Sequence, residues 1–472
     1  MLQLKRLSIK IRRILEKPQY FFLLVSALSG FLLIFILPPY QAPDEHTHFY
    51  KSVQQSYGHI KAEKFSETEV GSMLPAKYNQ SVAYYKYMWL DPTQKINPGV
   101  VKEQLLHGPN DSARVITKYE NTAVYPPLTY IPQTIGLSIA RVFHSSVLIQ
   151  LYAARIATLL AWLVLTFFAI KIIPFGKWAM VALAITPLTL MLSASSSNDA
   201  VTFGLIFLWT SFCLKVINDK KPLLIQERNL LIVFSVILGL LKPPYFLLIL
   251  LTILIPRHKF KGLKQSVLLK SIVITVPLIT AILWMLFTRN LYIVTNPLAD
   301  TPLQISYILS NLHGVSIDFL NTFFISPVSD DLVLQFYGLY SWLVIRIPII
   351  FVVVAYISLF LVMTVRNPFE ATINNLTTKI RIWLVVLYVL SCFAIIGLIF
   401  LSFNPVGQNE VIGLNSRYFI PLAVLFIPAL SGLINLKNKS SYITLLKWIK
   451  PSLILLSIVT IVSIYLRFHI AN

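Results

Sequence analysis

The sequence predicts an all-α protein that crosses a membrane many times. Hydrophobic residues make up 56% of its 472 residues and charged residues only 12%, whereas soluble domains carry about a quarter charged residues. Apolar runs of about 20 residues, the length that a helix needs to cross a bilayer, recur along the chain. The net charge of +21 comes mostly from short segments between these runs, which is typical of cytoplasmic loops and argues against nucleic-acid binding.

The apolar runs can be ordered from a cytoplasmic N-terminus. Residues 1–19 are basic, with lysines and arginines ahead of the first run, which predicts that they stay inside. That run lacks a small-residue cleavage site and continues to Pro38-Pro39, so we expect a retained signal anchor. Counting onward gives about eleven crossings. They are expected at about 20–37, 148–170, 178–192, 230–241, 246–255, 272–287, 382–400 and 453–466, with three more ending near Lys215, Arg366 and Lys437.

The loops divide the chain further. Residues 20–288 are expected to form one transmembrane module that includes a long outer loop, 38–147, with juxtamembrane helices. The proline-broken segment 125–143 is interpreted as juxtamembrane or re-entrant, because a crossing there would put the basic residues 171–177 outside. Residues 289–340 are expected to form an outer loop with an amphipathic segment, 302–324, and residues 341–472 the C-terminal transmembrane helices.

The start of the first predicted outer loop contains candidate catalytic residues. The run Pro43-Asp44-Glu45-His46-Thr47-His48-Phe49 places two carboxylates and two imidazoles directly after an apolar helix. One carboxylate can accept the proton of an attacking hydroxyl while its neighbour orients a group or binds a divalent cation such as Mg²⁺ or Mn²⁺. Alternatively, Asp44 caps a helix that begins at Glu45. His46 and His48 do not share a helix face, which favours hydrogen bonding over zinc binding.

Other polar clusters are predicted on the same outer face. They are the Tyr125-Pro126-Pro127 turn, the Ser197-Asn198-Asp199 turn, Lys242 and the run 415–418 around Arg417. Asp199 is either a second carboxylate of the site or a helix cap. Lys242, Arg417 and Arg155 are cations at outer helix ends, where they can bind phosphate or reach the lipid headgroups.

Three runs of residues carry a family resemblance. Asp44-Glu45 with His48-Phe49, Lys242-Pro243-Pro244-Tyr245 and Arg417-Tyr418-Phe419-Ile420-Pro421 resemble a bacterial family of predicted membrane proteins of unknown function. That family is similar to the GT-C glycosyltransferases. This chain departs from the family pattern at two places: it has Ala42 where the family often has a second proline, and Asn415-Ser416 where a glycine commonly precedes Arg417. Both departures lie beside the motifs and not within them. The resemblance implies a GT-C-like fold, a catalytic acid in the first outer loop and a sugar donor carried on a polyprenyl phosphate.

These observations together predict an inverting glycosyltransferase of the plasma membrane whose active site faces outward. Its acceptor is expected to be a cell-envelope glycan, a teichoic acid, a glycolipid or a protein; the cofactor is unknown, and a divalent cation is compatible. Alternatives are a polysaccharide polymerase or ligase using a diphosphate-linked donor, a lipid-linked glycan flippase or transporter, and a structural role in wall assembly. The expected site residues are Asp44, Glu45 and Asp199 for catalysis, Lys242, Arg417 and Arg155 for the donor phosphate, and His46, His48, Tyr125, Tyr245 and Tyr418 in support.

Overall fold

A computed structural model describes residues 14, 16–91, 93–294, 296–341, 344–370, 376–436 and 438–470, mainly as helices. The α-helices are α1 Pro18–Ile36, α2 Glu45–Ser56, α3 Ala76–Ala83, α4 Tyr87–Leu90, α5 Pro98–His107, α6 Glu120–Ala123, α7 Ile131–Val142, α8 Val147–Ile172, α9 Lys177–Ala184, α10 Pro187–Ser193, α11 Asp199–Asn218, α12 Ile225–Gly239, α13 Leu263–Thr288, α14 Thr301–Ser310, α15 Leu312–Phe324, α16 Pro327–Tyr337, α17 Ile349–Thr364, α18 Thr378–Phe403, α19 Phe426–Leu430 and α20 Lys439–His469. The 3₁₀-helices are Pro127–Tyr130, Pro243–Leu254, Arg257–Lys259, Arg289–Leu291, Ser416–Tyr418 and Ile420–Leu425.

Six helices in the described part of the chain are long and apolar enough to cross a membrane: α1, α8, α11, α13 with the 3₁₀-helix that follows it, α18 and α20. Even the shortest of them, the 19-residue α1, is about 28 Å long at 1.5 Å per residue, close to the thickness of a hydrocarbon core. Shorter apolar helices lie at Pro243–Leu254, Ile349–Thr364 and Ile420–Leu430. The chain is therefore a polytopic helical membrane protein, and the number of eleven crossings stays a prediction.

Two of the predicted crossings have a different local structure. The helix expected over 178–192 is divided into α9 and α10, because Pro187 begins a new helix and the Thr186 hydroxyl accepts a hydrogen bond from the Thr189 N–H. Both helices are buried from Trp178 to Ser193, so they form the centre of the bundle. The helix expected over 246–255 is the 3₁₀-helix Pro243–Leu254.

The first outer loop contains a small β-sheet that an all-α prediction misses. Strands β1 Glu63–Lys64, β2 Val70–Pro75 and β3 Arg114–Lys118 form an antiparallel sheet in the order β1-β2-β3. The backbones meet closely at Gly71, where a Cβ would lie too near the Thr117 carbonyl oxygen to be accommodated. A second hairpin pairs β4 Leu339–Tyr340 with β5 Ile345–Arg346. Strands β1, β4 and β5 have only two residues each, and β2 and β3 do not alternate apolar and polar residues, so no period-2 pattern marks the strands in the sequence.

The proline-broken segment of the loop contains no helix of membrane-crossing length. After the turn at Pro127–Tyr130, α7 has only 12 residues, too few to span a bilayer. It packs along α8 and leaves a stripe exposed at Ile135, Ile139 and Val142, as expected of a helix lying at the membrane surface. The amphipathic segment 302–324 is likewise two short helices, α14 and α15.

Candidate functional site

A cluster of four charged side chains joins four distant parts of the chain. The Asp44 Oδ2 and Arg417 Nη2 atoms are 2.5 Å apart, and the Asp199 Oδ1 and Lys242 Nζ atoms are also 2.5 Å apart. The Arg417 Nη1 atom lies 3.8 Å from Asp199 Oδ2 and connects the two pairs. We call these residues the charged cluster. The predicted meeting of acids and bases from the start, middle and end of the sequence is therefore present in the structure.

The backbone at Asp44 turns its side chain toward the cluster. Asp44 precedes α2 in the left-handed region, with φ of 58°, which aspartate tolerates better than most residues. Its side chain makes no capping hydrogen bond, so the helix-cap alternative for Asp44 is wrong. Instead, Oδ2 accepts from Arg417 and Oδ1 accepts from Asn121 Nδ2 at 3.1 Å. Both carboxylate oxygens are thus held by residues far away in the sequence.

The cluster keeps its members charged. Burial is the largest single influence and would raise the pKa of Asp44, but the positive charge and the hydrogen bond of Arg417, together with the two nearby histidines, leave this pKa below its ordinary value. Burial likewise would lower the pKa of Lys242, but the carboxylate of Asp199 together with Tyr125 and Tyr418 raises it above its ordinary value. Two carboxylates and two cations therefore cancel in net charge while each remains ionised at neutral pH.

The three tyrosines predicted to support the site surround the cations. The Lys242 ammonium lies 5.2 Å from the centre of the Tyr125 ring and 5.7 Å from that of Tyr418, within range of cation–π attraction. The Tyr245 hydroxyl donates to the Tyr418 carbonyl oxygen at 3.0 Å. These contacts fix Lys242 and the 3₁₀-helix at Ser416–Tyr418 relative to each other.

The two histidines lie beside the cluster, His48 buried and His46 half-buried, and both are uncharged at neutral pH. His48 Nδ1 is hydrogen-bonded to the Tyr130 hydroxyl at 2.8 Å, and the His46 ring packs on Trp89 with centroids 4.4 Å apart. Burial lowers the pKa of His48 to about 3 and that of His46 to about 4. Among the described residues, no three His, Cys, Asp or Glu side chains are grouped to hold a metal ion. With both cluster carboxylates facing cations, the donor set does not fit a divalent cation, and we derive no step through one.

A second ion pair, between Glu45 and Arg155, lies apart from the cluster. Glu45 and Arg155 are completely buried, with Arg155 Nε and Nη2 each 2.7 Å from a Glu45 carboxylate oxygen. The remaining Arg155 donors bind the carbonyl oxygens of residues 34, 37 and 38, and Glu45 Oε1 also accepts from the Ser196 N–H. The structure therefore places neither residue against the cavity, contrary to the predicted catalytic and phosphate-binding roles. The hydrogen bonds of these two residues instead connect α1, α2, α8 and the turn before α11.

A cavity of about 710 Å³ opens beside the charged cluster. Asp44, Lys242 and Arg417 line one side. The apolar part of the lining comes largely from the last turns of the membrane-length helix α18. Its lining residues there are Ile395, Leu398, Ile399, Ser402 and Phe403. Two buried atoms of the cluster, Arg417 Nε and Asp199 Oδ2, have no hydrogen-bond partner among the described residues. The cavity thus combines three charged side chains with an apolar wall.

Several residues of the site were not predicted from the sequence. Asn121 and Tyr130 hold Asp44 and His48, and α18 supplies the apolar wall. Asn121 follows an acidic residue in an otherwise ordinary polar loop, and α18 has the same composition as any spanning helix. No local pattern marks either of them.

The fold and the site define a class: a polytopic helical membrane protein with a charged cluster at one end of its helix bundle. A family model described as "Predicted membrane protein (DUF2142)" matches residues 27–426, and the chain belongs to this family. The match includes all four residues of the charged cluster and ends before α20. No curated protein and no solved structure matches the chain.

Proposed function

We propose that the protein transfers a sugar from a polyprenyl-phosphate donor to an acceptor hydroxyl at the outer face of the plasma membrane. One observation carries the proposal: three residues of the charged cluster, Asp44, Lys242 and Arg417, line the same cavity as an apolar wall from a membrane-length helix. A lipid-linked sugar phosphate has the matching two parts. Its phosphate meets Lys242 and Arg417 while its isoprenoid chain lies along α18. The resemblance of the sequence motifs to the GT-C glycosyltransferases agrees with this proposal.

Asp44 is the general base of the proposed reaction. Its side chain is 22% exposed and lines the cavity, whereas that of Asp199 is 3% exposed and bound to Lys242. Asp199 therefore acts as a positioning residue. Asp44 takes the proton of the acceptor hydroxyl, and the oxygen attacks the anomeric carbon from the side opposite the phosphate. The bond from that carbon to the phosphate oxygen breaks, its electron pair leaves with the phosphate, and the configuration inverts.

The charges of the cluster change in step with this reaction. Protonation of Asp44 removes one negative charge and leaves the cluster with a net charge of +1 at the moment when the leaving phosphate gains a charge of −1. Lys242 and Arg417 then stabilise the developing phosphate monoester, since fixed charges in a site with little water act more strongly than in bulk solution. The cluster is neutral while the donor is bound and positive when the phosphate leaves. It therefore stabilises the leaving phosphate more than the bound donor.

The proposed function is tested by comparing envelope glycans, by mass spectrometry, from cells with the gene, cells without it and cells complemented with it. We expect one sugar substituent to disappear and return. The purified protein, reconstituted in liposomes, is then supplied with the same sugar on undecaprenyl phosphate or on undecaprenyl diphosphate. Transfer from the monophosphate supports the proposal. An unchanged set of glycans, or transfer only from the diphosphate, contradicts it, and the latter points to a polymerase or ligase.

Lys242→Ala is expected to weaken binding of undecaprenyl phosphate, the sugar-free product, by about 10- to 100-fold, because a hydrogen bond to a charged group contributes about 1.5–3 kcal/mol. The measurement is a dissociation constant for undecaprenyl phosphate in detergent, with size-exclusion chromatography to check folding. Lys264→Ala, an exposed lysine near the start of α13, is the control and should bind as the unaltered protein does. An equal dissociation constant in Lys242→Ala would exclude Lys242 from phosphate binding.

The rate of transfer is expected to be nearly independent of pH from about 5 to 9. Asp44 must be ionised, and because its pKa lies below the ordinary 3.8, the active form is lost only as the pH falls below about 4. His46 and His48, with pKa values of about 4 and 3, are already neutral above pH 5, and Lys242 stays protonated. The check is kcat/KM measured across this range. An inflection near pH 6.5 would indicate an essential histidine that titrates normally, contrary to this prediction.

A further inference from the structure

A second large cavity lies at the opposite end of the helix bundle. It has a volume of about 1240 Å³ and is lined by the first residues of α1, the start of α9, residues 367–370 and the N-terminal half of α20. Helix α1 leads from Phe21 in this cavity to the loop that carries Asp44. Its 19 residues separate the two cavities by about 28 Å. The second cavity therefore opens at the other face of the membrane.

Positive charge dominates the lining of this cavity. Four lysines and two glutamates, Glu16 and Glu370, line it, which leaves a net charge of +2. Glu370 is already bound, because its two carboxylate oxygens accept from the N–H groups of Gly176 and Lys177, 2.6 and 3.1 Å away, at the start of α9. Lys177 donates its ammonium to two carbonyl oxygens at the end of α8. Lys17 is next to Glu16 in the sequence, and Glu16 attracts Lys450 electrostatically. Lys447 and Lys450 lie three residues apart on one face of α20. The Lys450 ammonium lies 4.9 Å from the centre of the Trp178 ring.

The floor of the cavity is apolar and continues along the bundle. Phe21 and Trp178 pack edge to face, with ring centroids 5.2 Å apart, and Ile454 extends the lining one turn beyond Lys450 on α20. Trp448, next to Lys447, is 76% exposed. Exposed tryptophans on spanning helices are typical of the headgroup level of a bilayer. The lysines thus lie at headgroup depth above a groove between α1 and α20, which pack on each other.

We propose that this cavity binds an anionic phospholipid. The lipid phosphate lies between Lys447 and Lys450, and the acyl chains lie in the groove beside Phe21 and Ile454. The positively charged lining favours an anionic lipid as the occupant of this cavity. The chain's own N-terminal segment fits less well, because it is itself basic over residues 5–13. The proposal concerns the face opposite the charged cluster and does not depend on the proposed function.

The experiment is a lipid titration of the full-length protein in mild detergent, followed by native mass spectrometry. The probes are phosphatidylglycerol and phosphatidylcholine with identical acyl chains. A lysine near a membrane surface contributes about a fivefold gain in affinity for anionic lipid. We therefore expect Lys447→Ala/Lys450→Ala to bind phosphatidylglycerol about 25-fold more weakly and phosphatidylcholine unchanged.

The controls distinguish a lipid site at these two lysines from general attraction between a basic protein and anionic lipid. Lys264→Ala, near the start of α13 and outside the cavity, should bind phosphatidylglycerol as the unaltered protein does. Glycerol phosphate, the soluble headgroup, should not compete, because the acyl groove contributes to binding. If the double variant does not fold, Lys447→Gln, at an exposed position, should still lower the affinity about fivefold. Equal affinity for both lipids, unchanged affinity in the variants or full competition by glycerol phosphate would each overturn the proposal.

Discussion

Asp44→Asn is expected to slow sugar transfer by a factor of about 10²–10⁴, the usual contribution of a general base. Asparagine keeps the shape of the side chain but cannot take the proton of the acceptor hydroxyl. Folding should persist, because Arg417 keeps Asp199 as a partner, with Nη1 and Oδ2 3.8 Å apart, and Lys242 keeps its own bond to Asp199. The measurement is kcat for the reconstituted protein together with the dissociation constant for undecaprenyl phosphate.

Comparing kcat with the dissociation constant for undecaprenyl phosphate distinguishes loss of the base from loss of donor binding. We expect kcat to fall while the affinity for undecaprenyl phosphate is unchanged or increases, because Arg417 loses a competing carboxylate. Glu103→Gln, an exposed carboxylate on α5 outside the cavity, is the matched control and should transfer normally. A rate within a few fold of that of the unaltered protein would remove Asp44 from the role of base. A parallel fall of rate and folded yield would instead point to a structural role.

Arg155→Ala is expected to destabilise the folded protein by about 3–5 kcal/mol, because it leaves the buried carboxylate of Glu45 without its cation. It also removes the donors for three carbonyl oxygens around the end of α1. We expect a lower yield and a lower midpoint of thermal unfolding in detergent. Arg289→Ala, an exposed arginine after α13, should leave both unchanged.

A double variant distinguishes a lost ion pair from lost packing. In Arg155→Met/Glu45→Leu, two apolar side chains replace the two charges, and such replacements are often close to neutral in stability. We expect the double variant to recover much of the stability lost in Arg155→Ala, less the contribution of the three carbonyl bonds. It should also retain measurable transfer, since neither residue lines the cavity. A double variant that folds well but transfers no sugar would show that Glu45 or Arg155 is needed for catalysis, contrary to this prediction.

The contrast between Asp44 and Glu45 shows why adjacent carboxylates are hard to assign from sequence. Both residues precede or begin α2, and both are compatible with catalysis by residue type. The left-handed backbone at Asp44 directs its side chain to Arg417, while Glu45 points to Arg155 inside the bundle. The difference depends on partners 373 and 110 residues away, which no local pattern encodes.

The sequence by itself determined the class of protein and the meeting of Asp44, Asp199, Lys242 and Arg417 in one cluster, while the outward orientation of that cluster and the juxtamembrane position of 125–143 stay predictions. It could do so because hydropathy fixes which runs enter a bilayer, and the alternating direction of successive helices then fixes which loops share a face. Only the tertiary structure decided that Glu45 and Arg155 form a separate buried pair, that Asn121 holds Asp44, and that α18 provides an apolar wall. Those features arise from the packing of helices in three dimensions, and helix packing depends on side-chain shapes that composition and periodicity do not record.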